Sequence, residues 1–253
     1  MRVAVVQLVV RMGHRATTLQ RALAAFDGAA EADPAPDLIL LPSFCDVAEW
    51  ARGDKDVGER LEGPTLAAIA HRARQWGVFA SFGLVERSGN RLAVCSALLD
   101  HDGDLVAVRR GEHAGAEQQV ASSASGVDVR NTAIGAVGLM NAGDVYQAAG
   151  ASGDASGQAD LLICPGCFLS AGGKGPARGA ELTGKMVATA RRFGAHFAVA
   201  DVSTEADGAL GGVIGMAMIV APDGAIVCRE AGEVMYADVP VALSGQTPPN
   251  RRK

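Results

Sequence analysis

DLILLPSFCD, residues 37–46, sets an acidic residue before four consecutive aliphatics, then a proline and Ser43. A short unbroken apolar run of this kind fits a strand buried on both faces, as in a sheet covered by further layers. Its neighbours support that reading. Before it, RVAVVQLVV (residues 2–10) is a β-branched run of strand length, and from Arg15 the period changes, with Leu19, Leu23 and Phe26 at helical spacing up to Gly28. After it, Gly63-Pro64 predicts the start of a second helix, because proline suits a first helical position. That helix carries Leu66, Ile69, Ala73 and Trp76 on one stripe, and Gly77 can end it in the left-handed conformation.

The rest of the chain continues the rhythm. VFASFGLVE (78–86), RLAVCSALLD (91–100) and LVAVRR (105–110) are three strands joined by the turns RSGN and HDGD, which predicts an antiparallel meander. IGAVGLM (134–140) and DLLICP (160–165) are further buried strands. A helix with Leu182, Met186, Ala190 and Phe193 on one face follows, closed by Gly194. HFAVADVS (196–203), GMAMIVAP (215–222) and AIVCREA (225–231) complete the sheet, with PDG as the hairpin turn between the last two. The segment 141–158 needs a crossover, yet Gly150, Gly153 and Gly157 make it a poor helix. No repeat of fixed period is present. Two halves of strand, helix and strand predict two sheets packed face to face with helices outside, in one domain over residues 1–253.

Composition bounds the function. An apolar fraction of 49 % supplies a core, and with only 4 % aromatics the 32 glycines and many alanines must fill much of it. A formal charge of −5 gives no footprint for nucleic acid and no basic face for a membrane. No apolar run reaches the roughly 18 residues of a membrane span. The N-terminal stretch reads as a first strand rather than a signal peptide. Five cysteines, an odd number in a long chain, point to reduced thiols and a cytoplasmic setting.

The ordered pieces resemble the nitrilase, or carbon–nitrogen hydrolase, superfamily. RVAVVQ is similar to its opening strand, DLILLP to the strand before its catalytic glutamate, and residues 63–87 to the next helix and strand. DHDGDLVAVRR resembles the turn and strand ending on its catalytic lysine, VDVRNTAIGAVGL the strand ending on its cysteine, and ADLLICPGCF the strand after that. GMAMIVAPDGAIV resembles its late hairpin. The resemblance implies a four-layer α-β-β-α sandwich, commonly dimerised. It implies a chemistry in which a thiolate attacks an amide or nitrile carbon, a glutamate moves the proton and a lysine holds the oxyanion.

The positions that the resemblance assigns to those three roles carry other residues. The glutamate falls on Ser43, whose hydroxyl cannot act as a general base near neutral pH. The lysine falls on Arg110, with Arg109 beside it, and guanidinium is larger and planar. The cysteine falls on Leu139, or with a slip of one on Met140; neither is a nucleophile. The aspartate two beyond the cysteine becomes Asn141, and an auxiliary glutamate has Glu117 as its counterpart, with Glu112 the other candidate.

Other reactive groups are few. Cys164 and Cys167 form CPGC, a redox or half-zinc spacing, but no helix follows and no second C-x-x-C exists. Packing of Cys164 in the strand and Cys167 in the loop is the stronger reading. A relocated nucleophile would use Cys45 or Cys167 with Arg110 as cation and Glu117 or His113 as base. No metal site and no cofactor motif is read. The first expectation is therefore a non-hydrolytic pseudoenzyme, a small-molecule binder or a structural subunit. Its ligand would be a carboxylate or an amide, the carboxylate gripped by Arg110 beside Ser43, and its partner a second copy or a related subunit. An enzyme of altered chemistry built on Ser43, Arg110 and Glu117 is one alternative. A C–N hydrolase with a relocated thiol is the other.

Overall fold

A computed structural model of the chain describes residues 1–10, 14–43, 57–111, 127–148, 159–168, 176–204, 215–229 and 233–241. In the first half, β1 (Arg2–Val10), α1 (Arg15–Ala30), β2 (Leu38–Ser43), α2 (Pro64–Trp76), β3 (Phe79–Ser88), β4 (Arg91–Leu99) and β5 (Leu105–Arg110) succeed one another. The second half has β6 (Asp128–Thr132), β7 (Gly135–Leu139), α3 (Ala142–Ala148), β8 (Leu161–Pro165), α4 (Pro176–Phe193) and β9 (His196–Thr204). It ends with β10 (Met218–Val220), β11 (Ile226–Arg229) and β12 (Val234–Asp238).

The strands run in the order β5-β4-β3-β2-β1-β9-β8-β7-β6, with β12 added beside β1 and the β10–β11 hairpin beside β9. β1 joins the two halves. Its first residues, Val3 to Val5, pair in parallel with Leu38 to Leu40 of β2, while Gln7 to Val10 pair in parallel with Asp201 to Thr204 of β9. The two predicted sheets are thus linked through one strand whose two ends serve different partners. The predicted meander is present, with β3–β4 and β4–β5 both antiparallel. The PDG turn closes the β10–β11 hairpin, where the Gly224 N–H donates to Ala221 O at 2.8 Å.

Side-chain alternation along the strands sorts the interior into three layers. Ala4, Val6, Ile39, Leu41, Ala80, Phe82 and Leu84 face α1 and α2. Val3, Val5, Leu38, Leu40, Leu98, Leu139, Leu161, Ile163 and Ala200 meet between the sheets. Leu162, Cys164, Phe197 and Val199 face α3 and α4, whose Leu182, Met186, Ala190 and Phe193 form the predicted stripe. Three apolar interfaces between four layers are the α-β-β-α sandwich. DLILLP serves two of them at once, which is why its run is unbroken.

Several details depart from the sequence reading. Helix α1 runs past Gly28 to Ala30, since glycine lowers helix stability without forbidding it. β12 is a strand that the sequence reading left unassigned, and β6, read together with β7 as the one strand VDVRNTAIGAVGL, is a separate strand. Both contain charged residues and pair along β1 and β7 respectively, so partner strands rather than hydrophobic pattern define them. The difficult segment after residue 141 opens as a two-turn helix, α3, which ends before the first of the glycines at 150. α2 begins and ends as expected, on Gly63-Pro64 and on Gly77 at φ 64°.

Candidate functional site

The end of β2 brings Ser43 opposite Gly83 of β3, just past an irregularity in the pairing. Ser43 is buried, and its backbone N–H donates to Gly166 O at 2.9 Å. Its hydroxyl donates to Pro165 O at 3.0 Å. A Cβ at Gly83 would collide with the Ser43 Oγ, so only glycine fits across from it. The hydroxyl ties β2 to the turn after β8.

On β5 the two arginines point to opposite faces, as consecutive strand residues must. Arg110 projects outward, with its side chain 54 % exposed. Its Nε donates to Glu86 Oε2 at 2.5 Å and its Nη2 to Glu86 Oε1 at 2.9 Å, a bidentate pair across the sheet. The expectation that Arg110 and Ser43 share one pocket is therefore corrected. Ser43 is spent on a carbonyl inside, and Arg110 is chelated at the surface.

Arg109 is the inward guanidinium. It is nearly fully buried and grips Asp144 of α3 in bidentate fashion, Nε to Oδ2 at 3.1 Å and Nη2 to Oδ1 at 2.8 Å. Asp144 Oδ2 also accepts the Asn141 N–H at 2.8 Å, while the Asp144 N–H donates to Asn141 O at 3.0 Å. This reciprocal bonding holds the first turn of α3 much as a capping box does. Asn141 reaches further: its Oδ1 accepts the Ser96 hydroxyl at 2.5 Å, and its Nδ2 donates to Arg109 O at 3.1 Å. Ser96, Arg109, Asn141 and Asp144 are all buried, and together they form a connected polar network at the end of the inter-sheet core. A Cβ at Gly111 would meet Asn141 Nδ2 at 2.8 Å. The residues that face the 139–141 turn are therefore Arg109 of β5 and Gly111 just after it.

Leu139 is fully buried between the sheets, and Met140 is fully buried on the α3–α4 side. The Met140 N–H donates to Ile163 O at 3.0 Å, extending the β7–β8 ladder past its last strand residue. Cys164 belongs to the α3–α4 layer, and burial, with Asp144 and Asp201 adding to it, pushes its thiol well above the usual range. Cys167 packs in the α1–α2 layer instead. The two cysteines of CPGC thus lie in different core layers, and both are free thiols. Among the described residues no group of three His, Cys, Asp or Glu side chains could hold a metal ion. Cys45, Glu112, His113 and Glu117 lie outside the described residues.

Two buried carboxylates escaped the sequence reading. Asp144 had a visible signal, the N-x-x-D spacing of NAGD at a helix start. Asp201 had none, being a lone acid inside the apolar strand HFAVADVS. It is fully buried, and its Oδ1 accepts the N–H of Phe168 at 3.2 Å and of Val202 at 2.9 Å. Its Oδ2 accepts the Met216 N–H at 2.7 Å. Burial pushes this carboxyl up to about 7, against the backbone N–H groups of Met216, Phe168, Val202 and Gly215, which pull it down.

Among curated proteins no sequence matches the chain. Solved structures do. Nit3 of Saccharomyces cerevisiae, a nitrilase-superfamily member, superposes with a TM-score of 0.74 at 20 % identity, covering 94 % of this chain and 89 % of its own. A carbon–nitrogen hydrolase superfamily protein of Xanthomonas campestris gives 0.74 at 18 % identity, over 95 % of this chain and 90 % of its own. An amidase of Nesterenkonia sp. AN1 gives 0.70 at 18 %, over 95 % and 93 %. At these identities the likeness speaks for the fold, the same four layers threaded in the same order. The profile of the carbon-nitrogen hydrolase family matches residues 2–249, nearly the whole sequence. With its strand order, its layers and that match in agreement, this chain belongs to the carbon–nitrogen hydrolase family.

Proposed function

We propose that this protein is a non-hydrolytic member of its family, acting as a binding or structural subunit in the cytoplasm beside a second copy or a related subunit. The observation that carries the reading is Leu139. The position that the family resemblance assigns to the nucleophile holds an aliphatic side chain with no exposed surface, packed between the sheets. Around it Ser43 is bonded to a carbonyl, and Arg109 is already neutralised by Asp144. Nucleophilic acyl transfer needs a thiolate within reach of a base and an oxyanion donor. These residues supply packing and internal hydrogen bonds instead.

A carboxylate ligand held by Arg110 would have to displace Glu86 from a bidentate pair, so Arg110 is a weak choice as ligand grip. The deciding experiment is intact-protein mass spectrometry after iodoacetamide and after a panel of small amides and nitriles, with ammonia release followed in parallel. The expected result is slow, unselective alkylation, no acyl adduct and no ammonia. Rapid labelling of a single cysteine, protected by an amide or nitrile, would replace this reading with a hydrolase using a relocated thiol such as Cys45 or Cys167.

A further inference from the structure

We infer that β11 is the edge on which a second copy of this chain docks, the two β11 strands pairing antiparallel about a twofold axis at Ile226. This rests on the proposed reading in which the protein works beside a second copy, and it places that copy. Among the described residues four strands have a ladder partner on one side only: β5, β6, β11 and β12. Only β11 exposes two adjacent large aliphatics, Ile226 at 44 % and Val227 at 49 %, with Ala225 exposed just before them. Of the other edges β5 exposes Leu105 alone, and β6 and β12 expose no large apolar side chain. An aliphatic edge of this kind is a template for a further strand.

Backbone direction selects the register. Ala225 O accepts the Ala221 N–H at 2.8 Å, so Ala225 faces β10. Pairs in an antiparallel ladder alternate, so the next residue, Ile226, stands opposite Val220 with its own N–H and C=O turned away from β10. Val227 is the extra residue of the irregularity that follows, since Ile219 pairs with Cys228. A twofold at Ile226 offers these outward groups their counterparts on the other copy. It also lays Ala225 against Val227 and brings Arg229 of each copy to Asp223 of the other, both exposed residues. Opposite charges then flank an aliphatic centre on both sides of the axis. A twofold at Val227 would instead set Arg229 against Ala225. The Asp223 carboxylate is already oriented, because its Oδ1 accepts the Ala225 N–H at 2.8 Å. Twofold pairing is closed and does not propagate into fibres. One four-residue strand from each copy makes a small interface, so the dimer separates on dilution.

The test uses the full chain. Sedimentation over a range of concentrations should show a monomer–dimer equilibrium. The Ile226 amide, followed by hydrogen exchange, should be open in dilute solution and protected once the dimer forms. Ile226→Lys should be monomeric throughout with an unchanged thermal melt, and Leu105→Lys on β5 should leave the dimer as it was. Arg229→Asp should weaken the dimer about tenfold by setting like charges face to face. A dimer that survives Ile226→Lys, or whose Ile226 amide exchanges equally fast at every concentration, overturns this surface and leaves the second copy as partner. A chain that stays monomeric overturns the surface and the second copy together, while the alkylation experiment decides hydrolysis separately. If Ile226→Lys fails to fold, exchange at Ile226 in the unaltered protein decides.

Discussion

Removing Asp144 should destabilise this protein more than removing any surface charge, and should do so through Arg109. In Asp144→Ala the guanidinium loses its bidentate carboxylate, at 2.8 and 3.1 Å, and stays buried, while the Asn141 N–H loses its acceptor at 2.8 Å. Leaving one partner of a buried ion pair uncompensated costs about 3–5 kcal/mol. With a urea m-value of about 3 kcal/mol/M, the unfolding midpoint should fall by more than about 1 M. The Arg109→Met, Asp144→Leu double variant removes both charges together and should unfold close to the unaltered protein. The cycle should then show a coupling of about 3 kcal/mol. Arg110→Ala is the control. The Arg110 side chain is 54 % exposed while Glu86 is only 11 % exposed, so its loss should destabilise less than Asp144→Ala, where both partners are buried. An Asp144→Ala midpoint within about 0.3 M of the unaltered protein, or a double variant worse than either single, would refute the claim that Arg109 depends on Asp144 in this buried network.

Other consequences can be checked with the same unfolding assay or with simple activity measurements. Leu139→Cys should leave amide hydrolysis undetectable by ammonia release, because Ser43 provides no base and Arg110 is held at the surface by Glu86. Leu139→Ala should cost about 2–5 kcal/mol as a cavity between the sheets. Gly83→Ala should destabilise by about 1–3 kcal/mol through its collision with Ser43 Oγ, and Ser43→Gly in the same chain should recover most of that loss. The Asp201 carboxyl has a folded-state value raised from 3.8 to about 7, so the folded protein binds this proton more tightly than the unfolded chain. Its contribution to stability is fully present below pH 3.8 and is lost as pH rises to about 7, and Asp201→Asn should flatten that slope across the same window.

What could be read from the sequence, and what could not, divides along physical lines. DLILLP, the α2 stripe and the α4 stripe were readable because burial on a regular element leaves a periodic trace. β12 leaves almost none, since VMYAD is defined by its antiparallel pairing with β1, a partner more than two hundred residues away. At the site, residue types could be read but directions could not. Arg109 and Arg110 are identical as letters, and only the register Cys95↔Arg110 and Ser96↔Arg109 shows which guanidinium turns inward. Asp201 illustrates a further limit. Its three N–H donors come from segments spread from Phe168 to Met216, and no local pattern announces such a convergence.

The proposed loss of a catalytic constellation would be connected to the survival of the fold by desolvation. A buried acid, a buried base and a thiolate oppose folding unless they are paired, because each charge must leave water. Here the corresponding positions hold a hydroxyl bonded to a carbonyl and a leucine, and the guanidinium at the lysine-like position pairs outside the core. Among the described residues the buried ion pair is Arg109 with Asp144, and it is tied in through Asn141 and Ser96. The three apolar interfaces are built from buried hydrophobic side chains. The four layers can therefore persist once the hydrolytic groups are gone. The same reasoning makes Leu139 the informative residue, because it contributes to the inter-sheet core at the position that the family resemblance assigns to the nucleophile.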